Sequence, residues 1–336
     1  MILVLNCGSQ SVKYKLFDNK LKSVRTGKFS VKDKSAYAGI LDRELKKIGE
    51  VEKVCHRVVH GGEKFRDPII VDKKVLAELK KYNNLAPLHN PFNVLGIEMS
   101  LKVFPKAEQV AVFDTGFYKN IPEKAYQYAL PEDLRNKYGF RRYGFHGISH
   151  EYAAREAAKK IGKEFEDLRI ISCHLGGGAS ITAIKEGRAV DTSMGFTPLE
   201  GLVMMTRSGN LDPGIILQLG KELSFEKLGD ILNKESGLKG ICGESEMLDV
   251  LKRIKEGNKK AKLALDIFVY SIQKYIGSYF GILGSCDLLV FTGSIGSGSS
   301  KIRNMIINGL SILNGTKVLS VETDEELMIA KKSQKL

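Results

Sequence analysis

The sequence predicts an α/β protein of two domains, and three observations carry the prediction. The chain has 336 residues, enough for two domains of ordinary size with a core in each. Short apolar runs of strand character are mixed with amphipathic helical stretches, the pattern of sheets covered by helices. A unit of strand, small-residue turn and strand at the N-terminus returns near the middle of the chain, as a duplicated domain would.

Taken in order, Ile2–Leu5 is apolar, with no basic stretch before it and no small-residue cleavage site. It reads as a buried strand rather than a signal peptide. Asn6 to Ser11 form a turn, and Val12–Phe17 alternates as a second strand closed by Asp18-Asn19. Cys55–His60 and Gln109–Phe113 are further strands, ended by Gly61-Gly62 and Asp114-Thr115-Gly116. Ser149 suits the N-cap of an Ala-rich helix through Glu151–Lys160. Arg169–Cys173, the turn from His174 to Ser180, and Ile181–Ile184 make the second hairpin. Leu265, Phe268, Ile272, Ile276, Tyr279 and Leu283 recur every three or four residues, one apolar face of a helix from about Lys259 to Leu283. Asp287–Phe291 is a late strand leading into Thr292–Ser299, read as a loop, with a helix over Lys301–Leu310 beyond it. The domain boundary is expected near Gly144–Gly147. Residues 1–145 then form the first domain and 146–323 the second, with the last helix, 324–336, folding back onto the first.

Composition is that of a water-soluble globular chain, with 43% apolar and 27% charged residues. No apolar run approaches the roughly 18 residues of a membrane helix. The five cysteines are scattered without a CxxC pair, which argues for a reducing, cytoplasmic setting and against a disulfide framework. The formal charge is +13, from 39 Lys and 13 Arg against 39 acidic residues. The basic residues are spread along the chain rather than clustered with aromatics, so neither nucleic acid nor a membrane is an expected partner. A positive field would still favour capture of anionic phosphates.

Three glycine-rich turns, each after an apolar strand, are suited to phosphates, because backbone N–H groups converge only where side chains are absent. None is a Walker GxxxxGK[ST]. The six histidines lie between His56 and His174. A zinc site would need partners at ligand spacing, and none is present for His56/His60 or His146/His150.

Longer segments make a specific match. Asn6-Cys7-Gly8-Ser9-Gln10-Ser11-Val12-Lys13, His56-Arg57-Val58-Val59-His60-Gly61-Gly62-Glu63 and Leu85-Ala86-Pro87-Leu88-His89-Asn90-Pro91 belong to it. So do Val112 to Phe117, Tyr143-Gly144-Phe145-His146-Gly147-Ile148-Ser149-His150, Cys173-His174-Leu175-Gly176, Thr192 to Pro198, Thr206-Arg207-Ser208-Gly209 and Asp324-Glu325-Glu326-Leu327. In order and over nearly the whole chain, these resemble the acetate kinase family, within the actin, sugar kinase and heat-shock ATPase superfamily.

The resemblance implies two actin-like (ribonuclease H-like) domains with the active site in the cleft between them. It implies reversible Mg²⁺- or Mn²⁺-dependent transfer between ATP and acetate, giving acetyl phosphate and ADP, in a homodimer. Arg57 and Arg207 match substrate arginines, suited to carboxylates by their planar donors. His146 matches the residue that stabilises the transferring group, and Asp114 the essential acid, which either orients the acceptor or acts through the metal. Asn6 and Glu325 match metal positions. Val59, Leu88, Phe145 and Pro198 match a pocket for the substrate methyl group. Lys13 and His174, Leu175, Gly176, Gly177 and Gly178 match the phosphate side of the nucleotide site. Glu246, Met247, Leu248 and Ser294, Ile295, Gly296, Ser297 and Gly298 match its adenosine side.

The chain departs from the family pattern mainly on that adenosine side. Leu248 replaces an Arg, the loop commonly read GIGEN is Ser294-Ile295-Gly296-Ser297-Gly298, Gly177 replaces an Asn, and Met205 a Gly. The segments Phe17 to Cys55 and Leu310 to Val318 are shorter than usual. These leave the phosphoryl donor open, with pyrophosphate as the alternative to ATP, and propionate or butyrate as alternatives to acetate. A non-catalytic nucleotide-binding member of the superfamily would have no use for Arg57, Asp114, His146 and Arg207 together.

Overall fold

The computed structural model describes residues 1–9, 11–31, 35–87 and 89–336. They form two compact units, Met1–Lys119 with Asp324–Leu336, and Asn120–Thr323.

The first unit is built on β1 (Ile2–Cys7), β2 (Ser11–Phe17), β3 (Ser23–Ser30), β4 (Lys53–Val58), β5 (Ile69–Ile70) and β6 (Glu108–Phe113), ordered β3-β2-β1-β4-β6-β5. β1 and β2 are antiparallel, with Asn6 opposite Lys13. β1, β4 and β6 run parallel, so their C-terminal ends lie together. Ligands of open α/β sheets gather at such ends. Leu3, Leu5, Val12 and Leu16 share a core with Tyr37, Leu41 and Leu45 of helix Tyr37–Lys46. Each such side chain contributes about 1.5–3 kcal/mol when fully buried. Helix Glu325–Ser333 packs on β1 and β4, held by a Lys15–Asp324 ion pair of 2.5 Å and by Lys53 donating to Ser333 O at 2.9 Å.

The second unit carries β7 (Arg169–Leu175), β8 (Ala179–Lys185), β9 (Arg188–Thr192), β10 (Leu288–Thr292) and β11 (Lys317–Ser320), ordered β11-β10-β7-β8-β9. Helix Lys259–Leu283 packs on β8 through the apolar face the spacing predicts, with Leu265, Phe268, Ile272, Ile276, Tyr279 and Leu283 all buried. Helix Gly147–Lys160 packs on β7 and β10.

Several expectations are corrected. The units divide at Lys119–Asn120 rather than near Gly144–Gly147. Residues 120–145 join the second unit because Tyr143 N donates to Gly195 O at 3.0 Å and Arg142 binds Thr192 O and Glu200. Partners some fifty residues away leave no local signal. Ser149 does not cap a helix. It sits inside Gly147–Lys160, its hydroxyl 2.8 Å from both His174 Nδ1 and Thr323 Oγ1. Thr292–Ser299 is no open loop: Gly293–Gly298 is a short helix, and Ser299 caps the next, Ser300–Ile307. Among the described residues, no helix is long and apolar enough to cross a membrane. All five cysteines are free, and burial pushes the Cys7 thiol up to about 12.

Candidate active site

In the first unit the parallel strands bring together residues far apart in sequence. Asn6 lies on β1, Arg57 on β4 and Asp114 just past β6, and Glu325 opens the last helix. Arg57 Nη2 donates to Asp114 Oδ2 at 2.6 Å and its Nε to Oδ1 at 3.1 Å, the two-pronged geometry that only a guanidinium offers. Arg57 Nη1 lies 3.3 Å from Asn6 Oδ1 and 3.4 Å from a Glu325 oxygen. Asp114 is 1% exposed. Burial, with the Glu325 carboxylate, raises its pKa above the usual carboxylate value against the pull of Arg57. Arg57 is itself desolvated, yet Asp114 and Glu325 hold it charged above its usual range. Asn93 and Asn90 brace the cluster: Asn93 accepts from Val59 N and donates to Cys7 O, and Asn90 bonds both N and O of His60. Asn6 Oδ1 and the Glu325 carboxylate are oxygen donors of the kind Mg²⁺ or Mn²⁺ accepts alongside water and phosphate, so the donor set fits such an ion.

In the second unit His146 has φ 57° and ψ 21°, a left-handed backbone that few non-glycine residues adopt. Holding it costs about 1–3 kcal/mol. Its ring stacks on His174 with centroids 4.3 Å apart, and its Nδ1 lies 2.9 Å from Ser180 Oγ. A side-chain carbon added at Gly178 would sit 3.4 Å from His146 Cε1, 3.5 Å from its Nε2 and 3.5 Å from Arg207 Nη1. Glycine thus leaves a hollow into which an imidazole and a guanidinium both reach. Arg207 Nη1 meets only neutral acceptors, Pro198 O at 3.4 Å and Met204 Sδ at 3.8 Å. Burial lowers its pKa below the usual guanidinium value, and among the described residues no carboxylate compensates.

Other predicted residues divide similarly. His174, Leu175, Gly176, Gly177 and Gly178 form the end of β7 and its turn, and the short helix with Ser294, Ile295, Gly296, Ser297 and Gly298 packs on them. Gly293, at φ +79°, has no room for a side chain against Leu175 O. Arg303 Nη1 donates to Gly296 O and Ser297 O at 2.9 and 2.8 Å, closing that helix. Glu246, Met247 and Leu248 lie at the start of helix Met247–Lys255, where Leu248 is 81% exposed. Of the apolar pocket residues, Val59 and Phe145 are buried and Pro198 half-buried, while Leu88 lies outside the described residues. Lys13 is exposed on β2. Sequence reasoning missed the working surroundings of these residues, namely Asn90, Asn93, Ser172, Ser180 and His150. The available signal was a hydroxyl in an otherwise apolar strand, which must find a partner when buried.

A model of the acetokinase family matches residues 34–335. The chain belongs to the acetokinase family. It is 41% identical to the acetate kinase of Carboxydothermus hydrogenoformans, covering 100% of this chain and 98% of that one. That alignment runs over 392 positions, so this acetokinase lacks segments that its relative has. Among solved structures, acetate kinase of Porphyromonas gingivalis superposes with a TM-score of 0.91 at 37% identity, covering 99% and 98% of the two chains. A propionate kinase from Francisella tularensis gives 0.90 at 36%, covering 100% and 99%.

Proposed function

We propose that this acetokinase catalyses reversible transfer of the γ-phosphoryl group of ATP to acetate, giving acetyl phosphate and ADP. The observation that carries the reading is Arg207, a half-buried cation with no carboxylate partner among the described residues, reaching with His146 into the hollow over Gly178. A desolvated charge is tolerated when an anion meets it. The transferring phosphoryl, with charge spread over three oxygens, suits such donors.

In this reading an acetate oxygen bonds to the γ-phosphorus as the bond to the β–γ bridging oxygen breaks, and ADP leaves. Acetate is already an anion at neutral pH, so Asp114 acts by holding Arg57 rather than by removing a proton. Arg57 orients the carboxylate, with Val59, Leu88, Phe145 and Pro198 around the methyl group. The turn from His174 to Gly178, with Lys13, serves the phosphates, and Glu246 to Leu248 with Ser294 to Gly298 serve the adenosine. Asn6 and Glu325 would hold Mg²⁺, which neutralises phosphate charge when bound. We place the enzyme in the cytoplasm, as a homodimer.

Propionate is a second acceptor reading, favoured by the propionate kinase at nearly the same similarity. One methylene discriminates by only about 1–3 kcal/mol. Trapping acyl phosphate with hydroxylamine, over a panel of acetate, propionate and butyrate against ATP, GTP, CTP and pyrophosphate, tests all of this. Acetate with ATP is expected to be efficient. A butyrate preference would reject the pocket assignment, and activity with pyrophosphate alone would reject the nucleotide.

A further inference from the structure

A buried hydrogen-bond chain runs behind His146, and the proposed transfer makes no use of it. Ser180 Oγ on β8 lies 2.9 Å from His146 Nδ1 and 2.8 Å from His150 Nε2. His150 Nδ1 lies 2.9 Å from Ser172 Oγ on β7. Ser172, Ser180 and His150 are all 0% exposed. Packing alone would fill these places with apolar side chains, as it does at their neighbours Ile170, Ile171, Ile181 and Ala183. A buried polar chain is tolerated when every member is satisfied, and that condition restricts where its protons sit.

Two arrangements satisfy it. Burial, with the nearby His174, keeps His150 neutral, so its ring carries one proton. If that proton is on Nε2, it is donated to Ser180 Oγ. The Ser180 hydroxyl then donates to His146 Nδ1, and Ser172 donates to His150 Nδ1. A neutral His146 is left with its proton on Nε2. If the His150 proton is on Nδ1, every bond reverses and a neutral His146 turns a bare lone pair outward on Nε2. Nε2 is the atom beside the Gly178 hollow, where Arg207 Nη1 also reaches. Phosphoryl oxygens accept hydrogen bonds and would be repelled by that lone pair. The first arrangement alone makes the neutral ring a donor there.

We propose that Ser180 is a positioning residue: its hydroxyl, oriented by His150 and Ser172, donates to His146 Nδ1 and fixes His146 as the neutral imidazole protonated on Nε2. Its purpose rests on the phosphoryl-transfer reading. In this form Nε2 has no lone pair with which to attack phosphorus, so His146 stabilises the transferring group without being phosphorylated. A second proton at Nδ1 would have to displace the Ser180 hydrogen. Arg207 reaches the same hollow, and a cation there disfavours a second positive charge on the ring.

The test is the ring nitrogen NMR spectrum of His146 in the full-length protein from about pH 6 to 8, alongside Ser180→Ala. The unaltered ring is expected to be neutral with its proton on Nε2 throughout. In S180A the tautomers should mix. The turnover number kcat should fall about tenfold, with KM for ATP changed less than about threefold. Ser180→Cys, which keeps a weaker donor, should fall between. A proton on Nδ1 in the unaltered protein, or an unchanged tautomer in S180A, overturns the assignment. The first spectrum needs no variant, so a misfolded S180A does not shield the idea. Failure of the unaltered protein to form acetyl phosphate would overturn the proposed reaction and leave the ring assignment standing.

Discussion

The two units repeat one connectivity and build opposite kinds of chemistry on it. In the first, β1 turns back into β2 and β3, while β4 and β6 lie parallel on its other side; in the second, β7, β8, β9, β10 and β11 do the same. β8 is buried over its first six residues beneath helix Lys259–Leu283, whereas β2 buries only Val12, Leu16 and Phe17 and β3 is largely exposed, the two carrying Lys13, Lys15, Arg25 and Lys28. At the strand ends the contrast is electrostatic. Arg57 is already engaged by two carboxylates, Asp114 and Glu325. Arg207 stands among neutral acceptors, with histidines and serines behind it. In the proposed reaction a substrate carboxylate would compete for Arg57, while a phosphate would find Arg207 without a carboxylate partner among the described residues.

The largest effects should come from the two arginines, and they should differ in kind. Arg57→Ala strands Asp114 at 1% exposure, and breaking such a pair costs about 3–5 kcal/mol. Its Tm should fall, and adding Asp114→Ala should recover most of the loss without recovering activity. Arg207→Ala strands no carboxylate, so its Tm should hold. Both should lose about 10²–10³-fold in kcat for acetyl phosphate formation. Equal Tm losses in the two variants would break the contrast.

The next effect is on stability and belongs to the first unit. Burial lowers His56 to about 4, against its bond to Gln109, and lowers His60 to about 3. Both are depressed, so each contributes stability that is fully present above the unfolded value of about 6.5. That contribution is lost as pH falls from there through the folded value. For His56 the loss is about 3 kcal/mol at about 1.4 kcal/mol per unit. Denaturant unfolding at pH 7.5 and 4.5 should show this acid limb, flattened in His56→Gln. An identical limb in the variant would assign it elsewhere.

What could be read in the sequence follows the range of each interaction. The helix Lys259–Leu283 was legible because its buried face is a local periodicity, and β1 and β7 because they are continuous apolar runs. β3, Ser-Val-Arg-Thr-Gly-Lys-Phe-Ser, was not, because an exposed edge strand needs no apolar pattern. Arg57, Asp114, His146 and Arg207 stand out through their family segments, but sequence cannot show that Arg57 binds Asp114 or that Arg207 meets no carboxylate among the described residues. Those facts depend on strand register. Ser180 was read only as part of a turn, because its role comes from His146 and His150, thirty or more residues away.

Gly178→Ala probes the hollow directly. The added carbon fits at ordinary van der Waals distance, 3.4–3.5 Å from His146 and Arg207, so folding should be undisturbed while the space for a phosphoryl oxygen shrinks. A loss of about tenfold in kcat/KM with unchanged Tm is expected, well within the range for misplacing a bound group. Unchanged kinetics would move the transferring group away from this turn.

The smallest effect should lie on the proposed adenosine side, where Leu248 is 81% exposed beside the buried Met247. A side chain so solvated makes few contacts, and Leu248→Ala should change stability by less than about 0.5 kcal/mol. Base-specific contacts should be few as well, so ATP and GTP should differ modestly as donors, since the phosphates dominate recognition. Leu248→Arg, restoring the residue the family pattern carries, adds a surface cation. Exposed charge interactions contribute about 0.2–1 kcal/mol, so the ATP-to-GTP ratio of specificity constants should rise by no more than about fivefold. Those ratios, measured at matched Mg²⁺ for the unaltered protein and both variants, decide the point. A strong ATP-only preference in the unaltered protein, untouched by either change, would mean that other side chains recognise the base and that this helix start lies outside the nucleotide site.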